Sequence, residues 1–311
     1  MIGFIFPGQG AQRVGMGQEL YRRWGIARET FDAASDALGY DMARLCFEGP
    51  ADLLKQTEYT QPALLTVAVA TCRVLAQQGV EPDMAAGLSL GEYSALVAGR
   101  ALEFSRAVTL VQRRGRYMQS AVPLGVGGMA AIVGLDSEEV ERLCLQLKEV
   151  GLVQAANYNC PGQVVISGEL AAVQACAQAA RMRGAKRAVV LEVSAPFHCD
   201  LMKPAAHRLY EDLVGVEFAS PVFDVFSNVE GRLLDRPDSI RQALYEQVYS
   251  PVQWQTCVER MHLSGCRYFV EVGVGRVLSG FVKRIANDVE IMQVEDAITL
   301  ENLLDMWEEV C

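Results

Sequence analysis

The fold is decided by the stretch Ala85-Ala86-Gly87-Leu88-Ser89-Leu90-Gly91-Glu92. Its apolar beginning runs into a GxSxG pattern, and a helix-forming run follows from Glu92 to Ala98. Between a strand and a helix this pattern predicts a nucleophile elbow, a tight turn that pushes Ser89 out of the sheet. The flanking glycines lack the Cβ atoms that would clash there, and the amide of Leu90 then faces whatever the serine attacks. The alternative is a Gly-rich turn capped by Ser89.

The composition predicts an ordered protein that does not bind nucleic acid. Of the 311 residues, 51% are hydrophobic, which is enough for a full core, and 21% are charged, which argues against disorder. A chain of this length holds one large or two modest domains. The net charge of −10 argues against wholesale nucleic-acid binding, although it leaves room for a local basic patch.

Cysteine usage and the lack of long apolar runs predict a cytoplasmic location. The nine cysteines are odd in number and form no CxxC pair, which suits free thiols in a reducing compartment better than disulfides or a zinc site. The sequence begins with MIGFIFPGQG, which lacks the positively charged start of a signal peptide. No run of about 20 uncharged apolar residues exists, so we expect no membrane span.

A second strand end contributes a candidate ligand-binding loop. The apolar run Ile2 to Phe6 predicts a buried parallel strand, and it is ended by the loop Pro7-Gly8-Gln9-Gly10-Ala11-Gln12. Open α/β sheets bind ligands at the carboxyl ends of their strands. Because Gln9 lies between two glycines, its backbone and its amide can approach a ligand closely. Taken alone, Gln9 is better explained as a solvated loop residue.

One arginine lies where a hydrophobic residue is expected. The run from Ser105, a predicted N-cap, to Gln119 has helical periodicity. At about 100° per residue, one stripe of this helix is formed by Ala107, Leu110, Val111, Arg114 and Met118. A guanidinium on a core-facing stripe is costly unless it meets an anion. Arg114 therefore predicts either a structural ion pair or a bidentate clamp for a substrate carboxylate. Arg113 and Arg116 point elsewhere and are expected to be solvated.

The pattern changes after the glycine-rich junction Pro123-Leu124-Gly125-Val126-Gly127-Gly128. Strands and helices are then predicted, in the order β-α-β-β-α-β, at Met129 to Leu135, Asp136 to Val150, Val153 to Asn157, Gln163 to Ser167, Leu170 to Arg183 and Lys186 to Val193. This order is typical of a ferredoxin-like unit. The junction glycines do not fit G-x-G-x-x-G and precede a strand, so a hinge is preferred over a dinucleotide-binding loop.

Of the three histidines, only His198 follows a predicted strand. It lies just past a proline and just before a helical run, a strand-end position that suits a catalytic base. His207 and His262 lie among charged helical residues and are expected at the surface. Two alternatives remain, a histidine that caps a helix and a thiol nucleophile at the adjacent Cys199. A buried free cysteine behaves as a small hydrophobe, which disfavours the thiol.

Strands and helices also alternate outside the insert, which predicts a parallel α/β core. Met84 to Leu88, Pro221 to Val229 and Tyr268 to Val272 are its further predicted strands. We therefore expect an α/β fold, with an α/β-hydrolase-like core on a parallel sheet and an inserted ferredoxin-like small subdomain. The large catalytic subdomain is assigned to residues 1–125 and 194–311, and the small subdomain to residues 126–193.

Several motifs, in one order along nearly the whole chain, resemble those of a known family. They are FPGQGAQ at Phe6 to Gln12, TQPAL at Thr60 to Leu64, GLSLGEYSAL at Gly87 to Leu96, QRRGRYMQ at Gln112 to Gln119, NCPGQVVISG at Asn159 to Gly168 and VSAPFHCDLMKPA at Val193 to Ala205, followed by YSPVQW and EVGVGRVLSG. The chain resembles the malonyl-CoA:acyl-carrier-protein transacylases of fatty-acid synthesis and is similar to the acyltransferases of polyketide synthases. Such a set is specific, unlike GxSxG alone.

The resemblance implies a role for each position already singled out. Ser89 would be the nucleophile, and His198 would be its general base and then general acid. The backbone amides of Gln9 and Leu90 would form the oxyanion hole, and Arg114 would hold the free carboxylate of malonate. Further substrate-binding positions implied by the resemblance are Gln61, Met118, Asn157, Phe197 and Ser250.

Three positions, Leu88, Phe197 and Ser250, show how closely the chain follows the family's usual pattern. Leu88 stands where many members have histidine before the serine, which leaves the choice of extender unit open. Ser250, whose carbonyl is implied to orient His198, stands where many relatives have asparagine. Because that contact is main-chain, we expect little effect. Phe197 matches the malonyl-selective form, since a bulky ring crowds the α-substituent of methylmalonate.

The implied function is transfer of the malonyl group from malonyl-CoA to the phosphopantetheine thiol of acyl carrier protein, as an acyl-carrier-protein S-malonyltransferase of fatty-acid synthesis. A free-standing acyltransferase of a polyketide synthase, an acyl hydrolase and a catalytically silent docking subunit are the alternatives. No metal or cofactor is expected beyond the pantetheine of the substrates. The expected partners are malonyl-CoA and acyl carrier protein, with no nucleic acid and no membrane, and the chain is expected to be a monomer.

An acidic carrier protein requires a local basic face on this acidic chain. The candidate residues are Arg181, Arg183, Lys186 and Arg187 on the insert, and Lys203, Arg276, Lys283 and Arg284 on the main domain. Plain solvation is the alternative for each of these charges.

Overall fold

A computed structural model describes residues 1–191, 193 and 195–310, and for residues 307–310 it describes the backbone alone. Within the described residues the strands are β1 (Ile2–Phe6), β2 (Met84–Gly87), β3 (Gly127–Val133), β4 (Val153–Cys160), β5 (Gln163–Glu169), β6 (Arg187–Val190), β7 (Asp224–Phe226), β8 (Tyr268–Val272) and β9 (Glu290–Val294). Three positions covered by the predictions lie outside these residues: Glu192 in the last strand predicted for the insert, Ser194 as the assigned start of the second large segment, and Cys311 as one of the nine cysteines.

The helices cover the sheets and link their strands. They are α1 (Gln18–Arg23), α2 (Gly25–Leu38), α3 (Met42–Glu48), α4 (Ala51–Leu54), α5 (Thr57–Gln77), α6 (Gly91–Ala98), α7 (Phe104–Ser120), α8 (Ser137–Gln146), α9 (Leu170–Met182), α10 (Lys203–Val214), α11 (Pro237–Gln247), α12 (Trp254–Leu263), α13 (Val277–Ile285) and α14 (Ala297–Val310). Among the described residues, no helix combines the length and apolar character needed to cross a bilayer.

The larger sheet is parallel, with strand order β7-β2-β1-β8-β9. Every residue of β1 and of β2 is buried. Continuous apolar strands of this kind are typical of a parallel sheet that helices cover on both faces. The predicted parallel α/β core is therefore confirmed.

The smaller sheet is antiparallel, with strand order β4-β5-β3-β6. Its strands alternate with α8 and α9 in the order β-α-β-β-α-β, so the predicted ferredoxin-like insert is confirmed. The insert has a core of its own, in which Ile132, Ile166 and Val173 are fully buried. These elements span Gly127 to Val190, inside the range assigned to the small subdomain, and the exact boundaries stay a prediction.

Helix beginnings differ most from the sequence analysis. Ser105 is not the N-cap of α7, because the Glu103 carboxylate accepts hydrogen bonds from the amides of Ser105 and Arg106, at 2.9 and 2.8 Å. Helix α5 begins at Thr57, so Pro62 lies inside it. Helices α3 and α11 and strand β9 have no counterpart among the predicted elements, whereas α10 is the helical run expected after His198.

The carboxyl ends of three paired strands meet at one edge of the larger sheet. Gln9 follows β1, Ser89 follows β2 and Asn228 follows β7. Because β2 pairs with both β1 and β7 in parallel, these loops emerge side by side. Open α/β sheets bind ligands at such an edge.

Candidate active site

Ser89 lies on a strained turn between β2 and α6. Its φ is 55°, a left-handed value that few residues other than glycine adopt. Close backbone packing makes the flanking glycines necessary: a Cβ on Gly87 would lie 1.9 Å from the carbonyl carbon of Gly91, and a Cβ on Gly91 would lie 2.1 Å from the carbonyl oxygen of Phe6. The turn thus has the geometry of a nucleophile elbow.

His198 is directed at this serine. Its Nε2 lies 2.7 Å from the Ser89 Oγ, and the residue is 4% exposed. Burial, followed by the nearby charge of Arg114, lowers the pKa of His198 to about 3. The imidazole is therefore neutral near pH 7 and is able to accept the hydroxyl proton.

The other imidazole nitrogen is held by the main chain at the end of α11. Nδ1 lies 2.8 Å from the Gln247 carbonyl oxygen. A carbonyl only accepts, so Nδ1 carries the hydrogen and Nε2 is left as the acceptor that faces Ser89. The family resemblance implies Ser250 as the residue that makes this orienting contact. Gln247 provides it because the last carbonyls of a helix have no partner within the helix, while the Ser250 carbonyl is a second acceptor that raises the pKa of the ring.

Arg114 lies at the bottom of the site and is 1% exposed. The stripe predicted on α7 is buried throughout. The guanidinium donates from Nη1 to Gln61 Oε1 at 2.9 Å, and from Nη2 to Gln247 Oε1 at 2.9 Å and to Ser89 Oγ at 3.2 Å. These acceptors are all neutral, and in the described part of the chain no carboxylate forms an ion pair with Arg114. The described residues therefore do not supply the anion that the structural alternative requires.

Gln61 and Met118 form the wall beside the arginine. The Gln61 side chain is 2% exposed, and its Nε2 donates to Met118 Sδ at 3.9 Å. Both residues line the same cavity as Ser89, and so do Asn157 on β4 and Phe197 next to the histidine. Ser250 is half-buried and is not among the residues that line this cavity, so the structure does not place it as a substrate contact.

Gln9 and Leu90 also line the cavity. Leu90 is the N-cap of α6, and the Gln9 side chain is held in place by a 3.2 Å hydrogen bond from its Nε2 to Thr57 Oγ1. Within the described residues, neither backbone amide donates a hydrogen bond. Unsatisfied N–H groups are rare in folded proteins, so these two are available to a ligand oxygen.

The cavity has a volume of about 340 Å³. Most of its polar groups come from the strand ends and helices of the large subdomain, and the insert adds Asn157 and Asn159 on β4 and Gln163 on β5. The rest of the facing wall is apolar and is formed by Met129 and Ala131 on β3, Val165 on β5, and Leu191 and Val193. Helix α13 closes the rim with Val277, Leu278 and Phe281. A concave, mostly apolar site with a few convergent polar groups is typical of a small-molecule pocket.

The thiol alternative is not supported. Cys199 is 1% exposed, its Sγ donates to the carbonyl of Pro196 at 3.2 Å, and burial raises the pKa of the thiol. His207 is exposed and His262 pairs with Asp288, so both are surface residues as predicted. In the part of the chain that the structure describes, no group of three or more His, Cys, Asp or Glu residues is arranged to hold a metal ion.

Three polar residues of the site were not predicted as site residues from the sequence: Glu92, Asn228 and Gln247. Each is completely buried and lies within hydrogen-bond distance of the Ser89 turn or of its partners. The only signal that could have pointed to one of them was the position of Asn228, at the end of the predicted strand Pro221 to Val229. Glu92 and Gln247 belong to helices, where glutamate and glutamine are ordinary surface residues.

Comparisons with known proteins identify the family. A family model described as the acyl transferase domain matches residues 3–300. The malonyl CoA-acyl carrier protein transacylase of Bacillus subtilis (strain 168) is 44% identical over 309 residues, which cover 99% of this chain and 98% of the relative. The protein of the same name from Escherichia coli (strain K12) is 46% identical over 304 residues, covering 97% and 98%.

A solved structure agrees with these relatives. It contains a type II PKS acyl-carrier protein in complex with its malonyl-transacylase, and it superposes with a TM-score of 0.95 at 44% identity, covering 98% of this chain and 99% of the other. Sequence and fold thus agree over almost the full length. The chain belongs to the malonyl-CoA:acyl-carrier-protein transacylase family, and it is an acyltransferase.

Proposed function

We propose that this protein transfers the malonyl group from malonyl-CoA to the phosphopantetheine thiol of acyl carrier protein, through a malonyl ester on Ser89, and so supplies extender units for fatty-acid synthesis. One observation carries the proposal: the Ser89 Oγ lies 2.7 Å from a neutral imidazole nitrogen and 3.2 Å from a buried guanidinium. A nucleophile, a base and a carboxylate receptor therefore converge on one atom.

The first half-reaction acylates the enzyme. His198 Nε2 takes the hydroxyl proton while Ser89 Oγ attacks the thioester carbonyl. The resulting oxyanion is stabilised by the free amides of Gln9 and Leu90. When the tetrahedral intermediate collapses, the C–S bond breaks and the imidazolium returns its proton to the CoA sulfur. Because the Gln247 carbonyl accepts from Nδ1, it keeps the ring oriented while the imidazole is charged.

The second half-reaction repeats these steps with another thiol. The phosphopantetheine sulfur of the carrier protein loses its proton to His198 and attacks the malonyl ester. Ser89 leaves and takes the proton back, and the enzyme returns to its starting state. The sequence of steps is ping-pong, and it uses no metal or cofactor beyond the pantetheine that both substrates bring.

Arg114 selects the acyl group. Its charge is buried without an ion pair among the described residues, and such a charge is costly until an anion reaches it. A malonyl carboxylate provides that anion, whereas an acetyl group does not. This argues against an acyl hydrolase of simple chains, which gains nothing from a buried cation at the bottom of its site.

Helix α13 is the part of the basic face that best fits carrier-protein docking. Arg276, Lys283 and Arg284 are exposed on or beside it, and Val277 and Phe281 of the same helix line the cavity. Two of the other candidates are already compensated: Arg183 pairs with Glu139, and Lys203 pairs with Asp200. An acidic partner that presents a thiol to the cavity would therefore meet its positive charge at the rim formed by α13.

A polyketide carrier protein is the second candidate acceptor. The structural relative that contains a type II PKS acyl-carrier protein favours this reading, at the same level of identity as the other relatives. The two functions share every step at Ser89 and differ only in the carrier. We also propose, from the sequence alone, that the protein is cytoplasmic and monomeric.

Intact-mass spectrometry tests the proposal. The protein is incubated with malonyl-CoA or acetyl-CoA, and then with a fatty-acid or a polyketide carrier protein in its pantetheinylated form. We expect a malonyl adduct on the parent, none on Ser89→Ala, and transfer of the adduct to a carrier. Acetyl adducts that hydrolyse rapidly would favour the hydrolase, and the absence of any adduct would favour a silent docking subunit. The carrier that is loaded faster decides between the two pathways.

A further inference from the structure

Glu92 is a carboxylate buried beside the nucleophile turn. It lies on α6 three residues after Ser89 and is completely buried. Its Oε2 accepts two hydrogen bonds, from the backbone amide of Asn228 at 2.8 Å and from Gln247 Nε2 at 2.9 Å. Neither donor is a cation, so this is not an ion pair that neutralises a charge. A buried carboxylate with two neutral donors is costly and calls for an explanation.

The first of its partners fastens the turn itself. Asn228 Oδ1 accepts from the Ser89 amide at 2.6 Å, and Asn228 Nδ2 donates to the Gly87 carbonyl at 2.7 Å. One side chain therefore holds the backbone on both sides of Leu88. Because the Ser89 backbone has a left-handed φ of 55°, the turn needs surrounding contacts to keep it there.

The second partner connects the turn to the other two functional side chains. Gln247 Nε2 also donates to the Ser89 carbonyl at 2.9 Å, and its Oε1 accepts from Arg114 Nη2 at 2.9 Å. Its backbone carbonyl is the acceptor for His198 Nδ1. Displacement of Gln247 would therefore move the serine turn, the guanidinium and the imidazole together.

We propose that Glu92, Asn228 and Gln247 form a buried clamp that sets the position of the Ser89 turn relative to the His198 ring, and that Glu92 is its anchor. The proposal rests on the proposed roles of Ser89 and His198. Glu92 and Asn228 are positioning residues, since neither lines the cavity. The clamp acts through hydrogen-bond acceptance at Oε2, so a neutral amide oxygen at the same place is able to replace the carboxylate.

The proposed role of the clamp is to keep the Ser89 Oγ close to His198 Nε2. Proton transfer and attack need the Ser89 Oγ within about 3 Å of Nε2, and a misplacement of about 1 Å costs about 100-fold in rate. Loss of the Glu92 carboxylate leaves two buried donors, the Asn228 amide and Gln247 Nε2, without that acceptor. Unsatisfied buried donors rearrange to find partners, which here means movement of the Ser89 turn and of the end of α11.

The test compares Glu92→Ala with Glu92→Gln. Rapid-quench intact-mass measurements give the rate of malonyl-Ser89 formation, steady-state assays give KM for malonyl-CoA, and imidazole-labelled ¹H–¹⁵N NMR follows the His198 Nδ1–H signal. For Glu92→Ala we expect acylation about 100-fold slower, a KM within about threefold of the parent and an Nδ1–H signal lost to exchange. For Glu92→Gln we expect recovery to within about fivefold and a retained signal.

A second buried carboxylate provides the control for general destabilisation. Glu271 is completely buried and accepts from the amides of Leu278 and Ser279 at 3.1 and 2.7 Å, but it has no hydrogen bond to the clamp or to the catalytic pair. We expect Glu271→Ala to lower the melting temperature and to leave the His198 Nδ1–H signal in place. If Glu92→Ala does not fold, Asn228→Ala is measured instead, and the same losses are expected because it removes both contacts to the turn.

Two outcomes overturn the proposal. One is an acylation rate for Glu92→Ala, or for Asn228→Ala, equal to that of the parent per folded molecule. The other is a Glu92→Gln variant as slow as Glu92→Ala with its His198 signal intact, which would assign Glu92 a charge effect and not a positioning role. If the parent itself forms no malonyl adduct, the proposed function fails, and the NMR signals of the variants still decide whether the clamp orients His198.

Discussion

The two walls of the cleft are built from different chemistry. The wall from the large subdomain carries the strained serine, the buried histidine and the buried arginine, and the Ser89 Oγ lies 2.7 Å from the imidazole and 3.2 Å from the guanidinium. The facing wall, from the ferredoxin-like insert, presents mainly apolar side chains such as Met129 and Val165. One wall performs the proposed chemistry, and the other gives the cavity its shape.

The difference follows from how each sheet presents its residues. Parallel strands release loops at their carboxyl ends, where polar and strained residues are held by neighbouring loops and helix ends. The antiparallel sheet contributes alternate side chains from one face: Val165 packs toward the large core and the cavity, while Val164 packs into the core of the insert. Changes in the first wall should therefore cost orders of magnitude in rate, and changes in the second wall only a few-fold.

Removal of the catalytic pair should have the largest effect. We expect Ser89→Ala to lose the malonyl adduct and about 10⁴-fold in kcat, because no other side chain replaces the attacking oxygen. His198→Ala should lose a similar factor, since the serine then has no base. Adduct mass and turnover measure both. A His198→Ala variant with near-parental acylation would show that the base lies elsewhere, and the comparison of the walls would fail.

Arg114→Ala should have the next largest effect. Loss of a bidentate charge-assisted contact in a buried site costs about 2–4 kcal/mol, which is about 30- to 1,000-fold in kcat/KM for malonyl-CoA. Acetyl-CoA turnover should fall much less, because it brings no carboxylate. Arg113→Ala and Arg116→Ala are matched controls on the same helix, half-exposed and paired with Asp212 and Glu58. Equal losses for both thioesters would contradict carboxylate recognition by Arg114.

These side chains also show what the sequence was able to predict. Arg114 was found because a helix period places it on a buried stripe, and Ser89 and His198 because they follow strands in recognisable motifs. The order of elements in the antiparallel insert was also predicted, since each strand and helix of the β-α-β-β-α-β order has a local signal. Such features depend on neighbours in sequence, which is why residue patterns are sufficient.

The residues that support the site could not be predicted in the same way. Gln247 lies in a helix with charged neighbours, and only the end of α11 beside His198 gives its carbonyl a role. Glu92, in the first turn of α6, resembles a solvated acidic residue that favours a helix dipole, yet it is completely buried. Gln247 is 49 residues from His198 and 155 residues from Glu92 in sequence, so their roles depend on tertiary structure that no local pattern contains.

The free energy of unfolding should depend on pH differently in the parent and in Glu92→Gln. Burial raises the pKa of Glu92 from 4.5 to about 7, so the folded state binds a proton more tightly than the unfolded state. The stability gained from this tighter proton binding is present in full below pH 4.5 and is lost as pH rises through 7. At about 1.4 kcal/mol per pKa unit, the loss is on the order of 3 kcal/mol.

Denaturant unfolding at pH 5, 6, 7 and 8 measures this effect. We expect the parent to lose stability relative to Glu92→Gln across that range. His198 has the opposite effect on the pH dependence of stability. Its pKa falls from 6.5 to about 3 on folding, so the parent and Glu92→Gln both lose stability as pH drops below 6.5. A constant difference between parent and variant from pH 5 to 8 would mean that Glu92 does not titrate in this window.

Charge reversal at the rim should have a smaller effect, confined to the carrier protein. Lys283→Glu combined with Arg284→Glu should raise KM for the carrier about tenfold and leave malonyl-CoA acylation within about twofold, because the change lies outside the catalytic centre. Added salt should weaken carrier binding of the parent more than that of the variant. Lys148→Glu, also exposed but away from the cavity lining, is the control. If both substrates responded equally, α13 would not be the docking face.

The smallest effect is expected on the apolar wall. Val165→Ala enlarges the cavity without removing a polar contact, so KM for malonyl-CoA should rise about threefold and kcat should stay within about twofold. Val164→Ala, the next residue on β5, faces the core of the insert and is the matched control. It should cost about 1–2 kcal/mol in free energy of unfolding and leave KM unchanged. A fall of kcat by more than tenfold in Val165→Ala would mean that this wall takes part in the chemistry, because a change of shape alone does not remove a proton donor, an acceptor or the nucleophile.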